Sequence, residues 1–326
     1  MKKIRLDLSE MSIPPPLNIR NKMKDTIDNI NRYTPQEEVD ILKKLLSDYA
    51  NVNEKNLFLS SASDIILKEF IFLIGQNRKI ISLDPTFILI KNAIQKVNSD
   101  SLFFRLREPK FQLKIEPLIN ELDKPTLLIF DNPNNPTGSL VIGEEELKKL
   151  LDLENTICLV DEAYFEFSNT NFGHLINKYP NLAVLRTVSK SFALAGDGIG
   201  YLLMGKKIKK RFEGLEIKLP HPGVIGATYA LQNRDYMEKY VRKVKKERDR
   251  MYKKLSNLKL EVFPSQTNFL LLKTNHHNIV QQLAQKDIFV SDVSAHLGSG
   301  YIRVSIGNAD ENEAFLKQLK KIVGEK

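Results

Sequence analysis

From about residue 56 onward, short apolar runs alternate with longer stretches whose apolar positions recur every three to four residues. The runs are Asn56 to Leu59, Ile80 to Leu83, Leu102 to Phe104, Thr126 to Phe130, Thr156 to Val160, Leu182 to Leu185 and Tyr201 to Met204. Each is short and bounded by polar or turn residues, as buried strands are, and stretches such as Glu144 to Leu151 between them have helical spacing. This rhythm predicts an α/β fold with a mostly parallel sheet flanked by helices. Ahead of it, Thr34-Pro35-Gln36-Glu37 carries an N-cap, a proline for the first helical position and an acid three residues after the cap. Val39, Leu42, Leu45 and Leu46 then supply one apolar face, so a helix is predicted from Pro35. A second, apolar helix is expected to follow Ser61-Ala62-Ser63 and to end near Gly75.

The rhythm breaks around Leu219-Pro220-His221-Pro222-Gly223. A long charged helix from about Arg234 to Leu255 follows. Strands are then expected near Leu260 to Phe263, Asn268 to Leu272, Ile288 to Val290 and Tyr301 to Val304, with helices near Ile279 to Leu283 and Asp310 to Ile322. The chain therefore divides into a large domain over 31–220 and a smaller α/β domain over 221–326. Residues 1–30 form an N-terminal arm in which Pro14-Pro15-Pro16 demands an extended path.

Composition changes this picture little. A chain of 326 residues, 42% hydrophobic and 27% charged, has enough apolar sequence for a large core. The formal charge of +9 raises a nucleic-acid or acidic-membrane partner, but the excess lies in Lys206 to Arg211 and Arg242 to Lys254, where helical spacing reads as a solvated face. The single cysteine, Cys158, sits inside a predicted strand, has no partner for an internal disulfide and fits a reducing cytosol. Met1-Lys2-Lys3-Ile4-Arg5 is not followed by an apolar leader segment, and no apolar run approaches a membrane span, so the expected location is cytoplasmic. The histidines at 174, 221, 276, 277 and 296 lack metal-ligand spacing, and no glycine-rich nucleotide loop follows the first strand.

The candidate chemistry stands at three successive strand ends. Asn132-Pro133-Asn134-Asn135-Pro136-Thr137-Gly138 follows Phe130, Asp161-Glu162-Ala163-Tyr164 follows Val160, and Arg186-Thr187-Val188-Ser189-Lys190-Ser191-Phe192 follows Leu185. Carboxyl ends of strands are where open α/β sheets bind ligands, and Ser191 to Leu194 is read as able to open a helix. A lysine there can form a Schiff base with an aldehyde cofactor, and a carboxylate such as Asp161 can keep a pyridine nitrogen protonated. Asn135 and Tyr164 can donate to a ring oxygen, while Thr187 and Ser189 can hold a phosphate.

This ordered set resembles the pyridoxal-phosphate-dependent aminotransferases of fold type I, and among them the histidinol-phosphate aminotransferase group, over nearly the whole chain. The resemblance implies that Lys190 is the Schiff-base lysine, Asp161 the partner of the ring nitrogen, and Asn135 and Tyr164 the pair on the ring oxygen. Thr187 and Ser189 fall on phosphate ligands, Ser61, Ala62 and Ser63 on the phosphate-cupping turn, and Phe87 on the aromatic that stacks on the pyridine. Arg303 matches the arginine for the substrate's acidic group, Glu10 a glutamate near the substrate side chain, and Tyr33 a tyrosine that reaches the neighbouring subunit of a homodimer. The implied reaction is amino transfer from histidinol phosphate to 2-oxoglutarate in histidine biosynthesis. An aromatic or other α-amino acid as donor and threonine-phosphate decarboxylation are the alternatives, and a silent relative binding through its basic face is a third. Two departures stand out: Gly198 lies where the family has an arginine for the cofactor phosphate, and Ser291 where it has a second substrate arginine. Asp197 and Asp292 beside them would add like charge to a phosphate if they turned inward.

Overall fold

The computed structural model describes residues 3–97, 100–258 and 260–324. Met1 and Lys2, part of the sequence read for a leader, lie outside the described residues. Among the described residues twelve strands occur in chain order: β1 Ile4–Leu6, β2 Leu57–Ser60, β3 Lys79–Asp84, β4 Ser101–Arg105, β5 Thr126–Asp131, β6 Thr156–Asp161, β7 Leu182–Thr187, β8 Gly200–Met204, β9 Glu261–Phe263, β10 Phe269–Lys273, β11 Ile288–Asp292 and β12 Tyr301–Ser305. Seven form one sheet in the order β2-β8-β7-β6-β5-β3-β4. In it β8 runs against its two neighbours, β2 and β7, and the other pairings are parallel. β5, β6 and β7 are buried at every position, which is why they read as unbroken apolar runs rather than alternating ones.

The second sheet has the order β1-β11-β12-β10-β9. Its edge strand comes from the other end of the chain: Ile4, Arg5 and Leu6 pair in parallel with Ile288, Phe289 and Val290. Helix Asp235–Ser256 buries Met237, Tyr240, Val241, Val244, Met251 and Leu255 on one face and exposes Lys239, Arg242, Lys243 and Lys246 on the other. Arg248 departs from that pattern. It is buried, and its guanidinium donates to the carbonyls of Thr267 (3.0 Å) and Phe167 (3.4 Å).

Three local expectations differ from the structure. The first long helix runs Gln36–Ala50 with no side-chain cap, because the Thr34 hydroxyl donates to the Leu219 carbonyl at 2.6 Å instead. No helix opens at Ser191. Ala193 adopts φ +60°, and the Phe192 carbonyl, which a helix would use, accepts from the Tyr236 hydroxyl (2.9 Å). Conversely, Leu17–Asp25 and His221–Gln232 are helices where the pattern suggested arm and break. They pack together, and a side chain at Gly226 would meet Met23 Sδ at 2.9 Å. Each covers the other's apolar residues, so neither needs a strong periodic signal of its own.

Candidate active site

The carboxyl ends of the parallel strands open onto a cavity of about 390 Å³. Asp131 and Asp161 end β5 and β6, Thr187 ends β7, and all three side chains line it. Ala62, Ser63 and Asp64 contribute from the start of helix Ser63–Gly75, Phe87 from the turn after β3, and Arg303 from β12 of the second sheet. The arm closes the mouth with Leu8 and Glu10. Of the residues singled out in the sequence, Ala62, Ser63, Phe87, Asn135, Asp161, Tyr164, Thr187, Ser189, Lys190, Arg303 and Glu10 all line this one cavity. Ser61 stands beside it without lining it. Tyr33 is 82% exposed and is not brought to the cavity within this chain.

Lys190 Nζ donates to the Leu8 carbonyl at 3.3 Å and lies 5.7 Å from the Tyr164 ring centre. Asp161 is held by the Ala163 amide (3.0 Å). Burial, reinforced by the charge of Asp131, pushes its carboxyl up to about 7, so it is poised to pair with a cation placed in the cavity. Arg303 donates from Nη2 to the Asp7 carbonyl (2.7 Å) and from Nη1 to Asn135 Oδ1. Because a guanidinium only donates, the Asn135 oxygen faces it and the amide nitrogen is left for another acceptor.

Behind the cavity, Arg186 and Glu162 form a buried ion pair. Arg186 Nε and Nη2 reach Glu162 Oε2 at 2.8 and 2.7 Å, and the guanidinium lies 4.0 Å from the centre of the Phe165 ring. Glu162 also accepts from the Phe172 amide. Since Glu162 follows Asp161 and Arg186 precedes Thr187, the pair fastens together the two strand ends that carry cavity residues. The sequence motifs contained both residues, but their contact links positions 24 apart and leaves no local signal.

The departures resolve geometrically. A Cβ at Gly198 would lie 2.3 Å from Ser189 Oγ and 2.8 Å from the Leu194 carbonyl oxygen, so this loop has no room for a longer residue. Asp197 does not line the cavity; it sits against Gly223 in the first turn of helix His221–Gln232. Asp292 is exposed and accepts from the Ser294 amide (2.9 Å). Neither carboxylate turns inward. Ser291 pairs in register with Arg303, which places both on one face of the sheet. The cations lining the cavity are Lys190 and Arg303, set against the carboxylates Glu10, Asp64, Asp131 and Asp161.

Asp131 was missed in the sequence, although the same rule that found Asp161, a carboxylate ending an apolar run, applies to it. Among the described residues no group of three or more His, Cys, Asp or Glu is placed to hold a metal ion, and no helix is long and apolar enough to cross a membrane.

A lysine, a buried carboxylate and an anchoring arginine around one strand-end cavity define an enzyme that works on a small charged molecule. The family model for aminotransferase class I and II matches residues 1–319. The chain belongs to this family, and it is an aminotransferase. It is 34% identical to the histidinol-phosphate aminotransferase of Thermococcus gammatolerans over 99% of this chain and 92% of that one. It is 32% identical to that of Sulfurisphaera tokodaii over 98% and 90%. Its fold matches the histidinol-phosphate aminotransferase of Sinorhizobium meliloti, solved with pyridoxal-5'-phosphate, at TM-score 0.86 and 21% identity, covering 98% and 90% of the two chains.

Proposed function

We propose that the protein is a pyridoxal-phosphate-dependent aminotransferase that moves the amino group of histidinol phosphate to 2-oxoglutarate. The observation that carries this reading is the convergence of Lys190, Asp161, Asn135, Tyr164, Phe87, Thr187, Ser189 and Arg303 on one cavity. The residues fit the cofactor. Asp161, with its raised proton affinity, suits a protonated ring nitrogen, Phe87 offers an aromatic face, and the Asn135 amide and Tyr164 hydroxyl are free to donate to a ring oxygen. Thr187, Ser189 and the amides at the start of helix Ser63–Gly75 suit a phosphate. When bound, the cofactor supplies an electron sink that loosens the bonds at the carbon bearing the amino group.

Lys190 Nζ would hold the cofactor's aldehyde, and its amine is placed to act as the base for the proton on that carbon. Asp161 keeps the ring-nitrogen proton in place. Arg303, fixed by the Asp7 carbonyl and Asn135, binds the donor's phosphate or the acceptor's carboxylate through its guanidinium. The arm reaches Lys190, whose Nζ donates to the Leu8 carbonyl. We read residues 31–220 as the cofactor domain and 221–326 with the arm as the smaller one. The exposed Leu17, Ile27, Ile30 and Tyr33 support a homodimer in which Tyr33 serves the neighbouring site.

The test is a purified-protein assay with three arms. Borohydride must fix the cofactor to Lys190, histidinol phosphate must outrank aromatic amino acids in kcat/KM with 2-oxoglutarate, and no donor may release carbon dioxide. Carbon dioxide release from threonine phosphate overturns the reaction type, and preference for an aromatic donor overturns the substrate.

A further inference from the structure

We propose that Asp131 is a positioning residue of this active site: as a carboxylate it sets Phe87 and Asn135 around the cofactor ring and places a second negative charge beside Asp161. The proposal rests on the cofactor reading above. Asp131 ends β5, is 3% exposed and accepts four hydrogen bonds. Oδ2 takes the backbone amides of Phe87 (3.1 Å) and Asn135 (2.9 Å). Oδ1 takes the Thr86 hydroxyl (2.9 Å) and Asn134 Nδ2 (3.0 Å). Two of the four donors therefore belong to residues that line the cavity, one after β3 and one after β5, and Asn134 Nδ2 adds a second link between the two turns by donating also to the Pro85 carbonyl (3.1 Å).

All four partners are donors, and none of them is charged. Such an environment asks for the ionised form, because an added proton would face a donor. Burial works against it and pushes the carboxyl up to about 6, so the four bonds keep a buried charge in place. The charge has a second consequence. Asp131 and Asp161 are register partners on adjacent parallel strands, so both side chains emerge on the same face of the sheet. A negative neighbour makes Asp161 a stronger partner for a protonated ring nitrogen. Asparagine at 131 keeps the shape but turns one acceptor oxygen into a donor. Asn134 cannot turn round to compensate, since its own oxygen accepts from the Thr137 amide (3.1 Å) and hydroxyl (2.6 Å).

The experiment compares wild type, Asp131→Asn and Thr86→Val. For each, the cofactor Kd of the resolved protein is measured by titration, kcat and KM by steady-state kinetics, and folding by thermal unfolding. Asp131→Asn is expected to weaken cofactor binding and lower kcat, each by about 10- to 100-fold, while KM for the amino donor changes by less than about fivefold, because Arg303 keeps its bond to the Asp7 carbonyl even if Asn135 shifts. Thr86→Val removes one of the four donors and is expected to move the same two quantities in the same direction by less, which keeps the test open if Asp131→Asn fails to fold. Wild-type Kd and kcat in folded Asp131→Asn, or a rise in donor KM alone, overturn the proposal. If wild type itself gives no borohydride-stable bond at Lys190, the cofactor reading fails first, an outcome distinct from failure of the role of Asp131.

Discussion

The two ends of the cavity are built differently. At the ring end, β5 and β6 deliver Asp131 and Asp161 from adjacent strands, and the Glu162–Arg186 pair and the four donors on Asp131 leave little freedom. At the anion end, two guanidiniums expected from the family pattern are replaced by Gly198 and Ser291, and Arg303 stands without a second arginine beside it. The contrast teaches that the ring end has its geometry fixed by the sheet itself, whereas the anion end depends on single side chains. The ring end should therefore respond to substitution in an all-or-none way and the anion end by degrees.

The largest effect is expected from Lys190→Ala, which removes the anchor and the proton carrier together. Turnover should fall by at least about 10²- to 10⁴-fold with little change in unfolding temperature, since the amine makes one hydrogen bond, to Leu8. Steady-state kinetics beside a thermal melt checks both halves. Arg186→Met should come next. It strands Glu162 as a buried unpaired charge, at a cost of about 3–5 kcal/mol in stability, read from urea unfolding of the variant; a loss below about 1 kcal/mol would show that the strand ends are not fastened there.

At the anion end, Arg303→Ala should raise KM for the amino donor by about 10- to 100-fold, the worth of hydrogen bonds to a charged group, and lower kcat less, through the freed Asn135. Two grafts sharpen the comparison. Ser291→Arg, on the same face as Arg303, should improve kcat/KM for a phosphorylated donor by about tenfold. Gly198→Arg should not tighten cofactor binding, because its Cβ would collide with Ser189 Oγ and the Leu194 carbonyl; a tighter Kd in that variant would mean the loop opens more easily than its packing implies.

The smallest effect is a slope with pH. Asp161 is pushed up to about 7 and Asp131 to about 6, both mainly by burial, against about 4 in an unfolded chain. Between pH about 4 and about 7 the native state then holds more protons than the unfolded one, so the contribution of these groups to stability falls as pH rises. Glu166, raised to about 7 by burial, acts in the same direction. Cofactor-free protein should show a falling urea midpoint across this window, and cofactor should flatten it by giving Asp161 a cationic partner.

Much of this could be read from the chain alone. Apolar runs ending in polar residues located β5, β6 and β7 to within a residue or two, and the order of Asn135, Asp161, Tyr164 and Lys190 indicated the chemistry. Helix Leu17–Asp25 escaped because its apolar residues are few and find their partners about two hundred positions away, on helix His221–Gln232. The helix expected at Ser191 failed because Tyr236, from another element, takes the Phe192 carbonyl.

The sequence by itself determined the strand–helix alternation and the identity of the groups at the strand ends, because periodicity and turn chemistry act over a few residues. Tertiary structure alone decided that Asp197 and Asp292 turn away from the cavity, that the Asn135 oxygen faces Arg303, and that Asp131 gathers two turns. It also brought the Leu8 carbonyl of the arm to Lys190 Nζ. Each of these depends on contacts between segments distant in sequence, where the direction of a side chain is set by which donor or acceptor the packed core brings within about 3 Å.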